Sequence, residues 1–262
     1  MGKTSANQMP EGLQLYRQLP SSAIKEFQDV AKITHAFVRE FLTSHLKKVQ
    51  DKFIADPFYL DHSLLNEINR RGFLSLWLPR YLGGRGFHPV SMNVFSEIIS
   101  EHCLGTANIV GAHYFGFGLL ALSHNYKIMR SITAEIRRGE QEGNPCILAA
   151  GVTEPTAGTD REDLRLLKRA KMSCVAKKSN ADYELNGQKI YISNAVWARF
   201  IVVVTTTKVE RPETETVIMA VPTSLPGIKI SSPMPKWGQE ACPASEITFE
   251  SCLVPQKYIA LA

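Results

Sequence analysis

Asn144-Pro-Cys-Ile-Leu-Ala-Ala-Gly-Val-Thr-Glu-Pro155 is where this 262-residue chain changes its hydrophobic period. Upstream the period is helical. Between Ser21 and Val49 the apolar residues Ile24, Phe27, Val30, Ile33, Phe37, Phe41 and Leu42 fall at three- and four-residue steps, as one buried helix face requires. Ser22 opens this stretch, and Lys47 and Lys48 near its end suit the helix dipole. Shorter helical patterns cover residues 63–71, 89–102, 105–122 and 126–138. The run Leu82-Gly-Gly-Arg-Gly86 between them reads as a turn, because glycine takes positive φ without steric cost. Downstream come short runs rich in strand-forming residues, at 146–152, 172–176, 183–185, 189–192, 200–206, 216–221, 228–230 and 246–249. Asn186-Gly187 between two of them is a hairpin signal. Many short strands at close spacing indicate an antiparallel barrel or sandwich. The expected architecture is α+β: an all-helical domain over residues 1–145, then a β domain over 146–262.

Composition excludes several classes. The hydrophobic share of 44% and charged share of 21% are those of an ordinary soluble protein able to bury a core. The net charge of +5 is spread over both halves, so no basic stripe marks a nucleic-acid surface. Five scattered cysteines without a C-x-x-C pair argue against a disulfide scaffold or zinc site and suit a reducing compartment. The longest apolar runs are far too short to span a bilayer. The N-terminal MGKTSANQMPEG has neither the apolar core of a signal peptide nor a myristoylation pattern, so a cytoplasmic location is expected. The seven histidines form no H-E-x-x-H pair and all lie in the helical half, and there is no G-x-S-x-G elbow and no Walker loop. No metal site is expected.

Four segments carry a resemblance. Gly151-Val-Thr-Glu-Pro-Thr-Ala-Gly-Thr-Asp160 is similar to a signature of TEP, one residue, then AGSD. Leu185-Asn-Gly-Gln-Lys-Ile-Tyr-Ile-Ser-Asn194 is similar to NGxKxWITN, with Tyr for Trp and Ser for Thr. Leu78-Pro-Arg-Tyr-Leu-Gly-Gly84 resembles a PEEYGG turn, and Lys236-Trp-Gly238 with Phe249-Glu-Ser-Cys-Leu-Val-Pro255 resembles KMG followed by FxxVxVP. In this order and spacing, over roughly residues 60–258, they resemble the acyl-CoA dehydrogenase family.

The resemblance implies FAD as cofactor. Val152 and Thr153 would face the flavin ring, Gly158 and Thr159 its pyrophosphate, and Tyr191 and Ser193 would stand beside the ring. Taken alone, Thr153-Glu-Pro155 ends a strand in a turn, and Tyr191 suits a core or an interface. The shared order of the segments favours the cofactor roles of Thr153, Thr159 and Ser193. The helix carrying Asn108, Gly111 and Phe115 would line the acyl end of a substrate pocket, although a small-residue helix packed on a neighbour fits that stretch equally well. The α-proton of an acyl thioester is removed by a carboxylate, which in this family is a glutamate of a C-terminal four-helix domain. The sequence stops at Tyr258-Ile-Ala-Leu-Ala262, about where that domain begins, and no residue here matches a catalytic position. Three expectations follow. One is a flavin-binding subunit of a split, hetero-oligomeric acyl-CoA dehydrogenase, whose complementary C-terminal-domain chain brings the glutamate and whose electron acceptor is an electron-transfer flavoprotein. Another is a non-catalytic interaction subunit that keeps the fold. The third is a shortened form of a full-length enzyme. Two departures from the family pattern stand out: Glu240, where a basic residue is frequent, and a charged excursion over 161–170 that reads as surface.

Overall fold

The structure, a computed structural model, describes residues 20–158, 166 and 170–262. The N-terminal stretch, Thr159 and most of the charged excursion after Asp160 lie outside them.

Among the described residues six α-helices come first. α1 (Ser21–Phe37) buries Phe27, Val30, Ala31, Thr34 and Phe37 on one face. A π-helical turn over Val38–Leu42 joins it without a break to α2 (Thr43–Ala55), so the helix outruns the expected end near Val49. α3 (His62–Arg70) begins at Asp61, whose carboxylate accepts the Leu64 amide at 3.0 Å and satisfies one orphan donor of the first turn. α4 (Met92–Ser100) and α5 (Leu104–Ala121) follow. α6 (Tyr126–Glu142) is capped by Asn125 and stops at Gly143, in the left-handed region at φ 70°.

Among the described residues eight strands make one sheet: β1 (Ile147–Gly151), β2 (Val175–Ser179), β3 (Asp182–Ser193), β4 (Ala198–Thr206), β5 (Thr216–Pro222), β6 (Ile228–Ile230), β7 (Ala244–Val254) and β8 (Ile259–Leu261). Their order is β6-β7-β3-β2-β4-β5-β8, with β1 also on β4. Most pairings are antiparallel, but β1 and β2 both run parallel to β4 along successive parts of its edge. β8 went unread in the sequence, and β7 is longer than its expected core.

The central strands are buried on both faces. Leu148 of β1, Phe200 and Val202 of β4, and Ile218 and Ala220 of β5 join the core under the helices. Their alternates Ala149, Ile201, Val203, Val217, Met219 and Val221 fill the interior of the β half. Period-2 alternation between two apolar layers explains why these strands read as continuous hydrophobic runs. Among the described residues, no helix is long and apolar enough to cross a membrane.

Asn186-Gly187 is not a hairpin. β3 runs straight through it, with a bulge against β7 between Leu185 and Gly187. Gly187 sits at φ 130°, and a Cβ there would lie 2.4 Å from Cys174 Cα. A bulge and a tight turn ask for the same left-handed tolerance, so the dipeptide suits both. The turn between β2 and β3 is instead Asn180-Ala181, with Asn180 at φ 57°.

Candidate active site

A groove of about 300 Å³ opens between α5 and the ends of β1 and β3. α5 is apolar nearly all round, and two sets of its residues meet different surroundings. Ile109, Val110, Gly116, Phe117 and Leu120 are buried in the core. A Cβ at Gly116 would lie 3.2 Å from that of Leu148, so this glycine allows the helix to approach β1 closely. Leu104, Asn108, Gly111, Phe115, Gly118 and Leu122 form the outward stripe, in which Phe115 is 51% and Leu122 is 67% exposed. His113 ties the helix to its neighbours. Its Nδ1 accepts the Leu148 amide at 3.0 Å, which leaves the proton on Nε2 to donate to the Leu74 carbonyl at 2.9 Å. Burial holds this imidazole neutral, with its pKa lowered to about 4.

The facing wall is built by a second irregularity in β3. The register with β7 shifts again between Lys189 and Ile192. Tyr191 takes φ 58°, a region that costs a bulky L-residue about 1–2 kcal/mol, and its side chain is 67% exposed. The Ile190 amide donates to the Thr153 carbonyl at 3.0 Å, joining the end of β1 to β3.

Behind this wall Lys189 is fully buried. Its ammonium donates to Glu154 Oε1 at 2.7 Å and to the carbonyls of Val204 at 2.7 Å and Val152 at 3.1 Å. The second oxygen of Glu154 accepts the amides of Ser173 at 2.5 Å and Cys174 at 2.9 Å. Burial pushes the Glu154 carboxyl up, but Lys189 and the two amides outweigh it and hold the group below its ordinary value. The pair therefore fixes Val152-Thr153-Glu154 against β3 rather than offering a free base.

Of the residues singled out from the sequence, Val152, Thr153, Tyr191, Ser193, Asn108, Gly111 and Phe115 all line this one groove. Gly158 does not; it follows the turn closed by Glu154 and Ala157, and a Cβ added to it would meet nothing within 4 Å. Thr159 lies outside the described residues. Asn108 turns its amide nitrogen to Gln239 Oε1 at 3.0 Å, so that donor is engaged within the protein. Gly111 has open space where a side chain would begin. Sequence reasoning missed two positioning residues. One is Lys189; the other is Asn194, buried at φ 65°, which donates to the Ile109 carbonyl of α5 at 2.8 Å. The available signal was a polar residue on each side of the Ile190-Tyr-Ile-Ser193 stretch.

Two family descriptions match: "Acyl-CoA dehydrogenase, N-terminal domain" over residues 28–124, and "Acyl-CoA dehydrogenase, middle domain" over residues 149–252. The chain is 29% identical over 200 residues to benzylmalonyl-CoA dehydrogenase of Aromatoleum aromaticum, an alignment covering 75% of this chain and 48% of that relative. Its fold is similar to that of butyryl-CoA dehydrogenase from Megasphaera elsdenii, with a TM-score of 0.73 at 21% identity, over 92% of this chain and 58% of the other. It is also similar to an acyl-CoA dehydrogenase complexed with FAD from Bacillus anthracis, with a TM-score of 0.69 at 24% identity, over 93% and 39% of the two chains. The chain thus spans about half the length of the curated relatives it matches first.

Proposed function

This chain belongs to the acyl-CoA dehydrogenase family, and we propose from that premise that its groove is the flavin-facing side of a site for α,β-dehydrogenation of an acyl-CoA thioester. The observation that carries the reading is the convergence on one groove of Thr153, Tyr191 and Ser193 with Asn108, Gly111 and Phe115 of α5. FAD fits the residues present. Ala112, Val152 and Ile192 offer apolar surface to a ring, and the hydroxyls of Thr153 and Ser193 offer hydrogen bonds to its polar edge. The open side of Gly158 lets backbone approach a pyrophosphate. In this reading Val152 and Thr153 hold the ring edge, Tyr191 and Ser193 flank it, and Gly158 with Thr159 meets the pyrophosphate. When bound, FAD supplies a hydride acceptor for the β-carbon of the substrate.

The α-proton needs a carboxylate in reach of the substrate. Among the described residues lining the groove none is Asp or Glu, and Glu154 is engaged by Lys189 and two amides. We assign the base to a complementary helical chain of the family's C-terminal type. The apolar outward stripe of α5 is a surface such helices would cover. The helical part, 1–145, and the β part, 146–262, are then two domains of one subunit in a hetero-oligomer. Acyl-CoA is its substrate and an electron-transfer flavoprotein its acceptor. Five scattered cysteines without a C-x-x-C pair favour a cytoplasmic setting.

Co-expression with a chain of that helical type tests the proposal. The expected result is a yellow complex that oxidises an acyl-CoA with an electron-transfer flavoprotein, while this chain alone does not turn over. A colourless complex would sink the flavin assignment. Turnover by this chain alone would sink the partner-supplied base.

A further inference from the structure

A second cavity, of about 680 Å³, shares no lining residue with the groove and borders the first residues of β4. The groove meets β1 at Ala150, opposite Val202, whereas this cavity begins at Arg199 and Phe200 and extends to the turn after β5, one side of α6 and the 3₁₀ turn Gln256–Tyr258. Its volume is that of a small-ligand site.

Four cations from three separate elements converge on it: Lys127 and Arg138 of α6, Arg199 of β4, and Lys257. Among the described residues of the lining, Glu135 is the lone carboxylate. It is hydrogen-bonded to Arg138 and stands 3.9 Å from Arg199, so a single negative charge faces two guanidinium groups. Among the described residues, neither Lys127 nor Lys257 has a carboxylate in an ion pair. A solvated helix face would spread such charges, but here they surround a concavity with an aromatic side. The rings of Phe200 and Tyr258 lie 6.1 Å apart, and the Lys257 ammonium sits 4.9 Å from the Tyr258 ring centre. Excess positive charge, guanidinium forks and an aromatic face together suit a phosphate joined to a flat ring.

We propose that this cavity binds a small organic phosphate of mononucleotide size, with its phosphate among Arg138, Arg199, Lys127 and Lys257 and its ring toward Tyr258. Neither the groove nor the dehydrogenase reading enters the argument.

The test is calorimetric titration of AMP into the protein, with adenosine as control. AMP should bind saturably, adenosine at least tenfold more weakly, and a Lys127→Ala/Lys257→Ala variant should weaken AMP at least tenfold. Both lysines are exposed, so the variant should fold normally. A Thr153→Ala change should leave AMP binding as it was. Three results would overturn the proposal: no saturable binding of AMP, equal binding by the double variant, or loss on Thr153→Ala, which would put the nucleotide in the groove. Saturable binding of polyglutamate but not AMP would make this face a docking surface for an acidic protein, and would equally reject the organic phosphate.

Discussion

The two walls of the groove are held by opposite kinds of buried polar chemistry. The β wall hangs on a charged pair, Glu154 and Lys189, both at 0% side-chain exposure. The α5 wall hangs on a neutral imidazole, His113, bridging Leu74 and Leu148. A charged anchor with a full set of hydrogen bonds tolerates acid but not the loss of a partner. A neutral anchor is bound less strongly and gives way when it must take a proton. The groove therefore has one wall sensitive to substitution and one sensitive to pH.

The largest effect should come from breaking the pair. Lys189→Met takes the ammonium from a carboxylate that stays buried, and should cost about 3–5 kcal/mol of folding stability, read by denaturant unfolding. A Glu154→Leu/Lys189→Met double change, which leaves neither charge, should cost less than the two single changes summed. Strict additivity would show that the two side chains stabilise separate things.

Acid should act first on the other wall. His113 has a folded pKa of about 4 against an ordinary 6.5, so the unfolded chain binds the proton first. Its contribution is complete above pH 6.5 and is lost as pH falls to about 4, on the order of 3 kcal/mol in all. Glu154 is shifted downward, so its contribution is present above its ordinary carboxylate range and is lost only at more acidic pH. Stability measured from pH 7 to 4 should fall in the wild type and stay flatter in His113→Gln. Parallel curves for the two proteins would remove the imidazole from the account.

The smallest effect sharpens the comparison by contrast. Lys229 and Glu250 form a pair at 2.6 Å that is mostly exposed. Lys229→Ala should change stability by less than about 1 kcal/mol. A loss like that of Lys189→Met would show that burial is not what separates the two pairs.

The same contrast explains what could be read from the sequence. The helices were legible because Phe27, Val30 and Phe37 repeat at a local period that the core confirms. The strands β1, β4 and β5 were legible as apolar runs because both of their faces are covered. Asn186-Gly187 misled, since the local preference of Gly187 for φ 130° does not say whether the chain turns or bulges. β8 was missed because its three residues become a strand only by pairing with β5. Tyr191 and Ser193 stand out through a motif, but Lys189 between them and Gly187 does not. Its reason for being there is Glu154, thirty-five residues earlier, and a long-range ion pair leaves no periodic trace.

The central claim is that this groove holds a flavin through Thr153, Tyr191 and Ser193. It is tested most directly by titrating FAD into the wild-type protein and into a Thr153→Ala/Ser193→Ala variant, following flavin fluorescence. The account predicts saturable binding by the wild type and at least about tenfold weaker binding by the variant, as two lost hydrogen bonds would give, with unfolding midpoints alike. Equal FAD affinity for the two proteins would contradict it.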